Sequence, residues 1–263
     1  MYFRNKLNLM KKQITLLFAL AGLCLSTKAQ ELPKRITLGS HTGVSLPINT
    51  DYLIDSYALP GVSFGINADY NFKKNFSIGL EFYATGHDVD AVAIADDLLS
   101  TQSRNFGLNA ISSEVSFGSY EHYMTMLNVK YNLPLTSRFN MDFGLGLGGN
   151  VFFTPGYTTT VNFDDPLRLN LKEITEIEES SGFAIASKFD LGFRYNVGSA
   201  LGIRVGTQFF SSTNLLYTTN VRRSEMDDLF VYDATIRAIE YDYPAMWLNF
   251  SLGITYSFWS RTN

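Results

Sequence analysis

From Ile36 onward the chain alternates apolar and polar residues in eight stretches, and the segments between them alternate strictly between long and short. The last stretch, Ala245 to Trp259, is the clearest. Met246, Leu248, Phe250, Leu252, Ile254, Tyr256 and Phe258 fall on one parity, and Asn249, Ser251, Gly253, Thr255 and Ser257 on the other. Successive side chains of a strand point to opposite faces, so this segment has one wholly apolar face. Phe139, Met141, Phe143, Leu145 and Leu147 repeat the pattern against Asn140, Asp142, Gly144, Gly146 and Gly148. So do Phe76, Ile78, Leu80 and Phe82 against Ser77, Gly79, Glu81 and Tyr83, and Leu201, Ile203 and Val205 against Gly202, Arg204 and Gly206. Ile36–Ser45, Val62–Phe72, Tyr123–Tyr131 and Phe183–Val197 complete the set. A tilted strand crosses a bilayer in about 9–11 residues, the length range of these stretches. Short joints follow the second, fourth and sixth at Lys73–Asn75, Leu133–Ser137 and Gly198–Ser199. The pattern predicts an all-β, eight-stranded antiparallel up-and-down transmembrane β-barrel with four long extracellular loops and three short periplasmic turns.

A soluble β-sandwich also alternates, and the polar face separates the two folds. Here it is rich in Gly, Ser and Asn, which suits a narrow barrel whose inside must be filled without crowding. Eight charges fall on it: Asp69, Glu81, Asp142 and Asp190 against Lys130, Lys188, Arg194 and Arg204. They cancel. A one-residue slip would turn all eight toward lipid, and the cations alone would then cost roughly 2–4 kcal/mol each near the midplane, more in sum than the roughly 5–15 kcal/mol of an ordinary fold. These eight form the predicted barrel-interior charge network. A proton or solute route along them is the alternative to a plugged, paired bore.

Tyr and Trp favour the membrane–water boundary. Tyr70, Phe72, Phe76, Tyr131, Phe139, Phe193, Tyr195, Tyr256 and Phe258 lie by the short joints or the chain end and predict one belt. Tyr123, Phe152, Phe153, Phe209 and Trp247 predict a second by the long joints. An even strand number puts both termini on the short-turn, periplasmic side.

Met1 to Gln30 has a basic start (Arg4, Lys6, Lys11, Lys12), a twelve-residue apolar core from Ile14 to Leu25, and a small-residue end at Thr27-Lys28-Ala29. A spanning helix needs roughly 20 apolar residues, so residues 1–29 are expected to be a cleaved export signal and 30–263 one barrel domain. Leu23 stands before Cys24 where lipoprotein processing wants a small residue. Cleavage after Ala29 removes five basic residues and no acidic one from 21 basic and 25 acidic, leaving the product near −9 and without its one cysteine. An acidic product lacks the clustered Lys and Arg that nucleic acid needs, and no disulfide or thiolate chemistry remains.

The leader end Ala29-Gln30, the strand His122-Tyr123-Met124-Thr125-Met126-Leu127-Asn128-Val129-Lys130-Tyr131, the strand Gly144-Leu145-Gly146-Leu147-Gly148-Gly149 and the aromatic closing strand resemble the small eight-stranded bacterial outer-membrane β-barrel family. In particular they resemble its Bacteroidetes outer membrane protein β-barrel domain, or PorT-like, group. The resemblance spans the mature chain. It implies a place in a Gram-negative outer membrane and, as partners, outer-membrane lipid, lipopolysaccharide and envelope or secretion proteins. Thr125-Met126-Leu127 stands where members often have a Pro, and Ser260-Arg261-Thr262-Asn263 follow the aromatic on which such barrels often end.

No motif assigns a cofactor. Gly144-x-Gly146-x-x-Gly149 matches a dinucleotide fingerprint, but that motif works between a strand and a helix, and Asn150-Val151-Phe152-Phe153-Thr154-Pro155 follows. The histidines are His41, His87 and His122. His41 shares the inward face of the first strand with Ser45, His87 precedes Asp88 and Asp90, and His122 follows Glu121. A nucleophile and its base must meet within hydrogen-bond reach, which the spacing does not show, and His87-x-x-Asp90 lacks further metal ligands. The long joints are acidic, among them Asp88, Asp90, Glu173, Glu176 and Glu225. Carboxylates suit divalent cations that bridge to lipopolysaccharide, and they equally suit a solvated surface. Ala91–Leu99 is expected to form a short helix, and the alternation of Leu167, Leu169 and Leu171 a hairpin that extends the fifth and sixth strands. The expected role is non-enzymatic: ordered extracellular loops serving adhesion, envelope integrity or secretion. A lipid A-modifying hydrolase and a narrow solute channel are the alternatives.

Overall fold

The computed structural model describes residues 35–48, 58–73, 75–106, 109–164, 170–198, 200–226 and 231–259. The expected leader with its cut at Ala29, Leu167, Leu169, Ser199 and the tail from Ser260 lie outside the described residues. The elements in chain order are β1 (Arg35–Pro47), β2 (Gly61–Lys73), β3 (Phe76–Asp88), α1 (Ala91–Phe106), β4 (Asn109–Phe117), β5 (Ser119–Pro134), β6 (Phe139–Thr154), β7 (Tyr157–Asp164), β8 (Lys172–Ile177), β9 (Ser180–Asn196), β10 (Leu201–Met226) and β11 (Val231–Trp259).

Eight of these strands close into a cylinder in the order β1-β2-β3-β5-β6-β9-β10-β11, with every neighbour antiparallel and β11 returning to β1. Closure leaves no sheet edge in lipid, where an unpaired backbone group would have no water to bond. Alternation sets the two faces as the sequence predicts. Leu80, Leu147 and Leu252 are 60%, 64% and 57% exposed on the outside. Inside, long side chains face inward glycines: a Cβ at Gly192 would strike the Arg204 guanidinium, one at Gly79 the Asp69 carboxylate, and one at Gly146 the Asn128 amide.

The long-joint side is more regular than the sequence suggests. The joint expected after the seventh stretch is strand on both sides, since β10 and β11 stay paired from Asn214↔Pro244 out to Met226↔Val231. Beyond the barrel, β10 pairs β8, β8 pairs β7 and β7 pairs β4. A second sheet therefore stands beyond the long-joint rim of the cylinder, in the order β11-β10-β8-β7-β4. The hairpin around Leu171 exists, but it docks on β10 instead of prolonging β6 and β9. Asn170, at φ +54°, leads into β8 in the left-handed conformation that Asn tolerates.

The helix runs to Phe106, longer than expected, and starts where Asp90 accepts the Ala93 amide at 3.0 Å as an N-cap. Leu98 packs against both small cores of this outer layer, one built on Val89, Ile94 and Tyr120, the other on Val161, Phe163 and Leu171.

Candidate functional site: a two-tier bore beneath an outer sheet

The bore is filled in two tiers. Toward the short-turn side lie the eight charges. Lys130 Nζ donates to Asp69 Oδ2 at 2.9 Å, and Asn67 donates to the same oxygen at 2.6 Å. Lys188 is bonded to Glu81 with both side chains at most 1% exposed, and Asn128 donates to Glu81 Oε2 at 2.9 Å. Arg204 donates to Asp190 at 2.7 Å and lies 3.5 Å from Asp142, which also faces Arg194 at 3.5 Å. Parity alone brings each charge inward; β3 supplies Glu81 and β9 supplies Lys188, far apart along the chain. The void left among these groups is about 30 Å³, room for a water molecule or two and far below the roughly 300 Å³ of a small-ligand pocket.

Toward the long-loop side the filling turns aromatic. Tyr83, Met124, Met126, Phe152, Phe210, Leu215 and Trp247 form one buried cluster. The Tyr83 and Phe210 ring centroids are 4.5 Å apart, and Phe210 stacks on Trp247 at 5.4 Å and 14°. His122 lies 4.9 Å from the Trp247 ring. The tiers meet where Lys188 Nζ sits 6.0 Å above the Phe210 ring. A layer of Ser63, Asn249 and Gln208 runs beside them, Ser63 donating to Asn249 at 2.6 Å and Asn249 to Gln208 at 2.8 Å.

This corrects the expected outer belt. Phe152 and Trp247 are 1% and 2% exposed and point into the bore. They share parity with the inward Asn150 and Asn249, and parity outweighs the boundary preference of an aromatic ring. Tyr123 and Phe153 do face outward, with ring centroids 6.0 Å apart. On the short-turn side Phe76 meets Tyr131 and Phe139 meets Tyr195, both at 4.9 Å.

The histidines all enter the bore. His41 Nε2 is 3.6 Å from Glu81 Oε1, and His122 Nδ1 is 3.1 Å from the Asn150 amide nitrogen. His87 Nδ1 donates to the Leu59 carbonyl at 3.2 Å, and its Nε2 lies 3.3 Å from Ser45 Oγ. In the neutral ring that arrangement leaves Nε2 as the acceptor of the Ser45 hydroxyl. Both residues are buried. Among the described residues no three His, Cys, Asp or Glu are placed to hold a metal ion. Asp90 caps α1, Glu173 pairs with Arg223 at 2.6 Å, Glu176 with Arg222 at 3.7 Å, and Glu178 accepts from Asn220 at 2.7 Å. Gly144, Gly146 and Gly149 lie within β6, away from any strand-to-helix turn.

A closed eight-stranded cylinder with a greasy wall, an aromatic girdle and a self-neutralising interior defines an integral outer-membrane β-barrel. The chain belongs to the outer membrane protein beta-barrel domain family, whose model matches residues 15–258. Its home is thus the outer membrane of a Gram-negative bacterium. None of the curated proteins matches the chain. Among solved structures it is similar to a major outer membrane protein from Thermus thermophilus, at 13% identity over 86% of this chain and 100% of that one, TM-score 0.47. It is also similar to Ail, the attachment invasion locus protein of Yersinia pestis, at 10% identity over 86% and 100%, TM-score 0.40. A third is OprG from Pseudomonas aeruginosa, at 14% identity over 88% and 99%, TM-score 0.39.

Proposed function

We propose that the protein is a non-enzymatic surface scaffold, a filled barrel that holds an ordered extracellular sheet for adhesion or envelope integrity. One observation carries this reading: the sheet β11-β10-β8-β7-β4 has its own cores and rises from a bore that is stoppered on its long-loop side by an aromatic-rich cluster. Loops on a rigid scaffold are where recognition concentrates. Lipopolysaccharide is the expected neighbour at the rim. The resemblance to PorT-like proteins supports a secretion-accessory variant of the same scaffold role, and the leader is proposed to leave after Ala29.

The test is a display assay. Cells carrying the parent protein should bind immobilised extracellular proteins several-fold more than cells carrying a variant whose residues 157–177 are replaced by a short Gly-Ser turn. Equal binding removes the adhesion reading. In a planar bilayer the purified protein should pass no resolvable current, and steady single-channel steps would favour the channel instead.

A second reading, a lipid A-modifying hydrolase, is favoured by the Ser45–His87 contact alone. Lipopolysaccharide incubated with the protein should keep its mass. A shortened lipid A that persists with the parent and vanishes with S45A would establish that reading and end the non-enzymatic one.

A further inference from the structure

The two edges of the outer sheet are unlike. Along β4 the ladder is interrupted between Ala110 and Ser112, and α1 packs against the strand. β11 beyond Pro244 pairs with β10 and with no other described strand. Exposed edges are normally blunted by bulges, prolines, charges or a covering element. Here Pro244 and the register shift between Arg223 and Glu225 bracket an uninterrupted run from Thr235 to Tyr243. Residues 236 to 240 are exposed without a break, Ile236 at 67%.

The backbone groups of this edge can be assigned. Asn220 stands opposite Ala238 but gives its carbonyl to the Glu178 amide on its far side. The pair is therefore of the non-hydrogen-bonded kind, and Ala238 turns its own N–H and C=O away from β10. By alternation so do Ile236 and Glu240. Three donor–acceptor sets thus face outward in a row, between side chains that run Ile236, Arg237, Ala238, Ile239, Glu240.

Among the described residues no other strand pairs with them. Residues 49–57 leave from Ile48, bonded to Met246, and return at Ala58, bridged to Val89. Nine residues span at most about 30 Å, whereas reaching Ala238 from Met246 and coming back needs about 50 Å at the rise of a strand. Arg35 and Trp259 pair at the opposite end of the barrel. A second copy in the same membrane points its hairpin the same way, so its β11 runs parallel to this one and offers no antiparallel ladder. A strand from a different protein is free to run the other way.

We propose that the Ile236–Glu240 edge of β11 is a docking site for an extended segment of another protein, added as an antiparallel strand. Main-chain bonds give such an addition its affinity and alternate side chains its selectivity. Opposite-charge cross-strand pairs are favoured and like charges penalised. The segment therefore carries, from its N-terminus, a base opposite Glu240, an apolar residue opposite Ile239, a small residue opposite Ala238, an acid opposite Arg237 and an apolar residue opposite Ile236. This rests on the scaffold reading above and names the partner's chemistry.

The probe is a fluorescein-labelled peptide, Thr-Lys-Val-Thr-Asp-Val-Thr, titrated by anisotropy against the full-length protein in nanodiscs. Saturable binding is expected. A238P removes one outward N–H while leaving every bond to β10 in place, and should weaken binding at least tenfold. R237E should weaken it similarly, and a peptide with Lys in place of Asp should restore it. Each variant is first checked for the heat-dependent gel mobility of a folded barrel, and the charge swap stands by itself if A238P does not fold. No saturable binding by the parent, unchanged affinity in A238P, or failure of the charge swap to restore binding overturns the proposal. So does an efficient A238C disulfide dimer in native membranes, which would assign the edge to a second copy. Such failures leave the display assay on residues 157–177 unaffected, so the scaffold reading is judged separately.

Discussion

The lower and upper halves of the bore solve the same filling problem with opposite chemistry. Below, four carboxylates and four cations sit around a void of about 30 Å³; above, seven large side chains pack without a formal charge. The aromatic tier gains free energy contact by contact, because each ring removed leaves a cavity and lost dispersion. The charged tier is a closed set in which no member is stable alone, since desolvation of an ion offsets most of what its partner returns. The first kind of filling is graded, losing stability with each ring removed, and the second stands or falls as a set.

That contrast is tested most severely by E81L. It strands Lys188, whose side chain is fully buried, and it also takes an acceptor from Asn128. We expect a loss of about 4 kcal/mol, within the range for one partner removed from a buried pair. It would be read as a lower urea midpoint for the folded barrel in detergent micelles. A loss under about 1 kcal/mol would mean that water or a neighbouring acid replaces Glu81 freely, and the tier would not be a closed set.

In the upper tier F210A should cost about 3 kcal/mol, the usual effect of deleting a buried ring. Phe210 stacks on Trp247, one of two tryptophans in the chain. The same variant should therefore shift part of the tryptophan emission to the red and raise its quenching by acrylamide. If stability falls while the emission stays fixed, the rings close over the gap and the stopper is more plastic than its packing implies.

How far the sequence carries this picture differs between the tiers. Parity along β3, β6, β9 and β10 is enough to turn Glu81, Asp142, Lys188 and Arg204 inward, because a single slip is so costly in lipid. It does not say that Glu81 meets Lys188 and not Lys130, since partners depend on how far strands shear past one another on closing. The stopper was legible in part: Tyr83 falls on the polar parity beside Glu81, and Trp247 falls on the parity of Asn249. A ring near a membrane boundary also suggests a belt, and for Phe152 and Trp247 that local preference misleads. The outer sheet was least legible. β7 and β8 are short, and β10 continues beyond Pro244's partner Asn214 through residues without a clean alternation, because their two faces meet protein and water in turn instead of lipid.

The smallest expected effect separates the tiers most sharply. Glu81 accepts from two groups, Lys188 and Asn128, and lies 3.6 Å from His41 Nε2, so replacing the carboxylate alone strands two hydrogen-bond donors, and replacing the ion pair alone strands one. Removing all three in E81L/N128L/K188M leaves neither donor behind, and His41, which makes no hydrogen bond to Glu81, loses only a 3.6 Å contact. Buried ion pairs exchanged as a set for apolar residues of similar volume are commonly neutral or stabilising. The triple variant should therefore lie within about 1 kcal/mol of the parent, recovering most of what E81L loses. A pairwise additive tier would instead make it the least stable of the series. Recovery would show that the charges contribute little to net stability, and that their physical consequence lies in the alternative they forbid, a barrel slipped by one residue with four cations in the lipid.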